Sequence, residues 1–365
     1  MIRVTITVQP RPYEAIIENG LLEHAGEYLC RVTENRQQVF VVTVPPVRRK
    51  WGKKLLTSLS VAGFKTHVIE MRDGELTKKL ATIEVLAETL TRMGADRDAV
   101  VVAFGGGVVG DTAGLLASLY MRGVDLVQIP TTVQAQLDAA IGGKTGVNVR
   151  TGKNLLGTFH QPRVVLIDPS ILSTLPERQF RAGLYEALKC GVIGKPDLFG
   201  RLEQVNAKTL RCDAAGLEWA IAESARLKAE IVSSDERENG LRRVLNFGHT
   251  IGHALEAESG YRHFLHGEAV AWGMIAATHI AAMTGRIDNN TALRISNAVL
   301  NLGGLPKIQA RARDLLCLLQ GDKKTRQGKI HFVLPREIGK VEIVNDVPEK
   351  VVMIALDELR RLSKS

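Results

Sequence analysis

Four of the chain's nine histidines fall in one short stretch: His249, His253, His263 and His266. His249 and His253 stand four residues apart, so a helix would put both imidazoles on one face. Two imidazoles so placed can chelate a divalent cation, with a carboxylate from another helix completing the set. Upstream, Glu186 and Lys189 are three apart in the run Ala182-Gly183-Leu184-Tyr185-Glu186-Ala187-Leu188-Lys189. Spacing alone leaves open which of the four histidines would take metal. A second constellation is Gly105-Gly106-Gly107-Val108-Val109-Gly110-Asp111, directly after the apolar run 99–104 and before a helical run. It satisfies GxGxxG in strand–turn–helix context, where backbone N–H groups at a helix N-terminus can hold a pyrophosphate. The bland alternative is a glycine turn that packs a helix on a sheet. The motif sits deep in the chain, and Asp125, about 20 residues past Gly105, is a poor candidate for the usual ribose acid. A third block runs from Thr131 and Thr132 through Asp138 to Gly142-Gly143-Lys144-Thr145-Gly146-Val147-Asn148 and Gly152-Lys153-Asn154. Lysines among glycines and small polar groups suit a loop that contacts a phosphorylated or polyhydroxylated ligand. The first glycine of a Walker A loop is absent.

These residues need elements to position them. The apolar, β-branched runs 39–44, 66–70, 99–104, 124–129 and 164–167 read as strands, and the pattern over 75–93 reads as a helix between two of them. Such alternation implies a largely parallel sheet covered on both faces. After Asp168-Pro169 the segments 177–191, 213–233, 246–259, 267–284 and 291–301 become long, amphipathic and rich in Ala, Leu and Glu. The expected organisation is an α/β nucleotide-binding domain over 1–175 and an all-α metal- and substrate-binding domain over 176–365, with the active site in the cleft between them.

Bulk properties exclude several function classes. The opening Met1-Ile2-Arg3-Val4-Thr5-Ile6-Thr7-Val8 alternates like a strand and lacks the basic and apolar blocks of a secretion signal. The longest apolar stretch, 269–283, is shorter than a membrane span and reads as a buried helix. Cys30, Cys190, Cys212 and Cys317 form no CxxC, so reduced thiols and a cytoplasmic location are expected. A net charge of +9 allows a polyanion partner or a small acidic substrate. Aromatic residues make up only 5% and no basic run interleaves with them, so nucleic acid is the weaker reading.

Taken in order, GGGVVGD, YMRGVDLVQIPTT, AQLD, GGKTGVN, GKNLLG, GLYEALK, DERENGLRRVLNFGHTIGHALE and HGEAVAWGM resemble the 3-dehydroquinate synthase family over nearly the whole chain. The resemblance implies an NAD- and metal-dependent carbon–oxygen lyase of the shikimate pathway. Such an enzyme converts 3-deoxy-D-arabino-heptulosonate 7-phosphate to 3-dehydroquinate and phosphate by transient oxidation, elimination, reduction and aldol closure. It implies Glu186, His249 and His266 as ligands to Zn²⁺ or Co²⁺. His253 then matches a residue that contacts substrate. Asp138, Lys144, Lys189, Lys228, Arg242, Asn246 and Lys323 match the rest of the substrate shell, with Lys324 an adjacent competitor for the last place. Lys144, His253, Lys189 and Arg242 carry the catalytic roles, and no single general base is assigned. Gly106, Gly107, Asp111, Thr131, Thr132, Lys153 and Asn154 match the NAD positions, and Glu75 and Lys78 the adenosine end, where Glu75 takes the ribose role. Val44 departs from a commonly polar position at that end, and Ala139-Ala140 departs from small hydroxyl residues.

Arg122 follows the glycine-loop helix, which rises about 1.5 Å per residue and carries it away from Gly107. Read alone it is a solvated arginine. The resemblance implies instead a homodimer in which Arg122 enters the partner's substrate site. Rival readings are another sugar-phosphate cyclase of the superfamily and a metal-dependent alcohol or glycerol dehydrogenase. The many cations favour a substrate bearing both carboxylate and phosphate.

Overall fold

The computed structural model describes residues 1–33, 37–150, 152–321 and 330–364. Its packing divides the chain into two units, Met1–Pro176 with Leu217–Arg237, and Glu177–Gly216 with Glu238–Ser365.

The first unit is built on a seven-stranded sheet. Its strands are β1 (Ile2–Ile6), β2 (Tyr13–Ile17), β3 (Gln38–Thr43), β4 (Lys65–Glu70), β5 (Val100–Gly105), β6 (Asp125–Pro130) and β9 (Val164–Ile167), in the spatial order β1-β2-β9-β6-β5-β3-β4. Only β1–β2 is antiparallel. Every residue of β5 is buried, as the central strand of a sheet covered on both faces requires. Alternation along β5 sends Val101 and Ala103 toward Leu86, Leu90 and Leu116, and sends Val100 and Val102 toward Leu29, Leu55 and Leu59. The chain runs outward through β3 and β4, returns to β5, then runs the other way through β6. This creates a topological switch point between β3 and β5.

Three features differ from the sequence expectations. The stretch 142–154 is not an open loop: it belongs to a hairpin of β7 (Lys144–Val149) and β8 (Gly152–Phe159). Glycines hide it from apolar alternation, and they are needed there, since a Cβ on Gly157 would lie 2.0 Å from the Thr145 carbonyl. The expected helix 75–93 is broken, with a 3₁₀ turn at Glu75–Thr77 and the helix beginning at Leu80. The division into 1–175 and 176–365 also differs in one segment. Helix Ala214–Ser234 packs with the first unit from Leu217 onward, where Asn19 N–H and Thr7 N–H donate to Glu218 and Ser233 at 3.3 and 2.9 Å, and Gln161 donates to Glu236 at 2.8 Å. Helical periodicity does not reveal which neighbour a helix will choose.

The second unit is helical, with one addition to the all-α expectation: a hairpin of β10 (Phe332–Glu337) and β11 (Lys340–Val344). It is tied to the helices by Gly339 N–H to the Val192 carbonyl at 3.0 Å and by the Thr250 hydroxyl to the His331 carbonyl at 3.2 Å. The stretch 269–283 lies in helix His266–Met283, buried almost all round. No helix among the described residues is long and apolar enough to cross a membrane.

Close packing in this unit depends on glycine. A Cβ on Gly267 would lie 1.8 Å from the Ala182 carbonyl of helix Glu177–Gly194. A Cβ on Gly273 would lie 1.8 Å from the Gly248 carbonyl, and Gly248 itself has φ 80° at the start of helix His249–Glu258. Gly267→Ala should therefore force helices apart and destabilise by about 1–3 kcal/mol or more. Gly200→Ala, with nothing within 4 Å of the added carbon, should change stability by no more than about 1 kcal/mol. Thermal unfolding of the two variants checks this, and equal midpoints would refute the packing argument.

Candidate active site

Glu186 is the centre of the second unit's site. It lies on helix Glu177–Gly194, is 1% exposed, and has no hydrogen-bond partner on either carboxylate oxygen among the described residues. Its Oε2 stands 2.5 Å from the Lys189 ammonium one helical turn on, an ion pair without hydrogen-bond alignment. Its Oε1 lies 3.9 Å from His249 Nε2 and 3.6 Å from His266 Nε2. One donor atom from each of Glu186, His249 and His266 can be chosen with all three within 4.8 Å of one another.

The far sides of the two rings are also occupied. His249 Nδ1 is 3.2 Å from the Phe247 carbonyl, and His266 Nδ1 is 3.1 Å from Glu256 Oε2. Each ring is thereby turned so that Nε2 faces Glu186, the usual outer support of a metal-bound imidazole. A buried carboxylate without hydrogen bonds is costly. Two imidazole nitrogens and one carboxylate oxygen form the donor set of a catalytic zinc site with a coordination position left open. The residues present fit a divalent cation.

His253 stacks into the same cluster, 5.4 Å from His249 and 5.8 Å from His266 by ring centroids. A second set, His253, Glu256 and His266, is also compact enough for metal. We favour the Glu186 set, because Glu256 already holds His266 from behind and lies on the same helix as His253. Glu256 escaped the sequence reading, although His249, His253 and Glu256 recur at the spacing of one helix face. Glu268 escaped it as well. It is fully buried, receives two 2.7 Å bonds from the Arg178 guanidinium and accepts Leu265 N–H at 2.9 Å, which anchors the start of the His266 helix. His263 is outside the cluster, its Nε2 at 2.9 Å from the Lys307 carbonyl. Arg242, 1% exposed, and Asn246, whose amide donates to Glu238 at 2.9 Å, lie on the turn Leu241–Asn246 before the His249 helix.

The first unit carries a separate polar network around the N-terminus of helix Gly107–Leu119. Gly105 ends β5 and Gly106 caps the helix, against which the Thr132 methyl packs. Thr131 N–H donates to the Gly105 carbonyl at 2.9 Å. The buried Lys78 ammonium bonds Asp111 and, at 2.5 Å, Asn154 Oδ1. Asn148, not singled out from sequence, joins the rest. Its amide donates to Glu75 at 2.7 Å, and its Oδ1 accepts Asn154 N–H at 2.9 Å. Lys153 reaches Glu75 at 3.9 Å. Burial pushes the Asp111 carboxyl above the ordinary carboxylate range, and the adjoining Lys78 opposes that rise. The helix start, bare of side chains at Gly106 and Gly107 and ringed by hydroxyls, amides and Lys78, fits a dinucleotide's phosphates. Asp138 pairs with the nearly buried Lys228, and Lys144 opens β7 exposed. Arg122 ends an exposed turn in which it and Met121 have φ 70° and 51°. Lys323 and Lys324 lie outside the described residues.

The model of the 3-dehydroquinate synthase N-terminal domain matches residues 68–182, and that of the C-terminal domain matches 183–325. The chain belongs to the 3-dehydroquinate synthase family. A curated 3-dehydroquinate synthase from Koribacter versatilis (strain Ellin345) is 52% identical over 363 residues, covering 100% of this chain and 99% of the relative. Among solved structures, the 2-epi-5-epi-valiolone synthase ValA of Streptomyces hygroscopicus subsp. jinggangensis 5008, with NAD⁺ and Zn²⁺ bound, has a TM-score of 0.87 at 31% identity, covering 97% of this chain and 98% of its own. A 2-deoxy-scyllo-inosose synthase complexed with carbaglucose-6-phosphate, NAD⁺ and Co²⁺ has a TM-score of 0.88 at 26% identity, covering 98% of this chain and 100% of its own.

The metal set yields a prediction. Glu186→Ala and His249→Ala should purify without stoichiometric metal, because two protein ligands hold zinc far less well than three. Glu256→Ala should weaken metal binding on the order of 10–100-fold by freeing the His266 ring. His253→Ala should keep its metal. Elemental analysis of the purified variants checks all four, and a metal-free His253→Ala would reverse the choice between the two sets.

Proposed function

We propose that this chain converts 3-deoxy-D-arabino-heptulosonate 7-phosphate to 3-dehydroquinate and inorganic phosphate, using NAD⁺ and one divalent cation, Zn²⁺ or Co²⁺. The observation that carries this reading is full-length similarity to the family, 52% identical over 363 residues, joined to a Glu–His–His donor set beside the buried Lys189. When bound, NAD⁺ takes and returns one hydride, and the cation acidifies the substrate hydroxyl it ligates.

The remaining work falls to side chains. Glu186, His249 and His266 would hold the cation. Glu75, Lys78, Gly106, Gly107, Asp111, Thr131, Thr132, Lys153 and Asn154 would hold the dinucleotide, the glycines giving its phosphates access to backbone N–H groups. Lys144, Lys189, Lys228 and Arg242 supply positive charge to the substrate's carboxylate and phosphate, and Lys323 is assigned to the same shell by its motif. Asp138 and Asn246 can accept and donate to its hydroxyls, and Asp138 keeps the Lys228 ammonium in place. His253 can pass protons at the substrate without binding metal. Oxidation and reduction cancel, so the sum of the reaction is loss of phosphate and ring closure.

The finer reading of the partners is a homodimer with Arg122 serving the partner's site. Exposed Leu119 and Met121 flank Arg122's turn, and β8 exposes Leu155, Leu156 and Phe159. Thr158 of β8 bonds Ser118 at 2.8 Å, so the strand and the end of the glycine-loop helix are neighbours. A cytoplasmic location is in keeping with Cys30, Cys212 and Cys317, which are exposed thiols without disulfides.

Two experiments test this. With substrate and catalytic NAD⁺, phosphate should be released over many turnovers while absorbance of reduced nicotinamide stays flat. Reduction of that NAD⁺ to lasting NADH without phosphate release would make the protein a dehydrogenase. Mixing inactive Arg122→Ala and Lys144→Ala proteins under subunit exchange should restore activity, since one heterodimer site then carries both lesions and the other none. Heterodimers without activity would remove Arg122 from the partner's site.

A further inference from the structure

Asn148 has no part in the proposed function, although it stands inside the first unit's polar network. It lies near the end of β7 where the hairpin register shifts, with Val147 paired to Leu156 and Val149 to Gly152. Such an irregularity takes a residue out of the ladder and re-aims it. Asn148 N–H accordingly reaches outside the hairpin and donates to the Lys78 carbonyl at 2.8 Å. Its side chain then meets two partners of opposite kind. Nδ2 donates to Glu75 Oε1 at 2.7 Å, and Oδ1 accepts Asn154 N–H at 2.9 Å. The position therefore needs a donor and an acceptor on one short arm. An asparagine amide offers both, whereas an ionised aspartate only accepts.

The residues it joins come from separate segments and need holding. Glu75 opens the 3₁₀ turn that leads to Lys78, and Lys153 approaches the same Oε1 at 3.9 Å. Asn154 is exposed and has φ 53°, a left-handed conformation that asparagine adopts where local hydrogen bonds support it. That support comes from Asn148 Oδ1 at its N–H and from the Lys78 ammonium at its own Oδ1, 2.5 Å away. Asn148 thus contacts three of the residues assigned to the dinucleotide: Glu75, Lys78 and Asn154. We propose that Asn148 is a positioning residue for the adenosine end of the dinucleotide, holding Glu75 and Asn154 in one arrangement before the nucleotide arrives. Acting through those residues, it sets how tightly the nucleotide binds and not the rate of the chemical step. The proposal rests on the dinucleotide reading of the first unit.

Calorimetric titration of the purified protein with NAD⁺ and with ADP-ribose, which lacks the nicotinamide, reads the effect by binding alone. Asn148→Asp keeps the shape and the acceptor for Asn154 N–H but sets a second carboxylate against Glu75. Asn148→Ala removes both side-chain bonds. Each variant should bind NAD⁺ on the order of 10–100-fold more weakly than the parent. ADP-ribose should lose the same factor, because Glu75 serves the adenosine end. In turnover of the proposed substrate, KM for NAD⁺ should rise by that factor while kcat at saturating NAD⁺ holds. Both variants should be folded, as thermal unfolding without nucleotide reports. Unfolding of both would make Asn148 a structural residue and overturn the proposal. Parent-like affinity for NAD⁺ in the folded variants would overturn it too, as would a lower kcat with KM for NAD⁺ unaltered. Failure of the unaltered protein to bind either nucleotide would overturn the dinucleotide reading itself, and this proposal with it.

Discussion

A buried carboxylate with no hydrogen-bond partner among the described residues is the constraint around which the second unit is arranged. Glu186 cannot be hydrated where it lies, and the Lys189 ammonium alone leaves Oε1 facing two imidazole nitrogens. A cation among those three donors would offset the desolvation of the carboxylate and the crowding of the rings. The surrounding features follow from holding that geometry. Glu256 and the Phe247 carbonyl turn the imidazoles inward, and Arg178 with Glu268 fixes where the His266 helix begins. Gly267 and Gly273 let the helices that carry the ligands touch backbone to backbone. A packing fault one turn away from the donors would displace them, so stability and metal affinity are coupled in this unit.

The first unit addresses a different problem, the handling of negative charge without a metal. A helix N-terminus stripped of side chains, a buried lysine shared between Asp111 and Asn154, and the pair of Lys228 with Asp138 all present fixed positive charge from rigid elements. The pairing acids keep the cations oriented before an anion arrives, which reduces the reorganisation that binding would otherwise require.

Much of this was legible in the residues. The β-branched runs became β3 to β6 and β9 because a buried parallel strand tolerates little else, and the glycine motif fell at the end of β5 as its context required. The histidine spacing gave a shared helix face, but it could not tell His249 from His253 as a ligand. That distinction depends on Glu186, a residue more than sixty positions away, and on Glu256 behind His266. The β7–β8 hairpin was missed because its glycines serve backbone contact and erase the apolar alternation by which strands are read. The return of 217–237 to the first unit depends on single polar contacts such as Thr7 with Ser233, which leave no periodic trace.

Which side chains touch the cation decides between the two compact donor sets. X-ray absorption at the zinc edge of the metal-loaded protein reads this directly. The predicted first shell has two imidazole nitrogens at about 2.0–2.1 Å and oxygen donors at about 2.0–2.2 Å, with no sulfur. The same spectrum is expected from His253→Ala. Loss of an imidazole from the His253→Ala spectrum, or of the metal itself, would contradict the assignment of Glu186, His249 and His266.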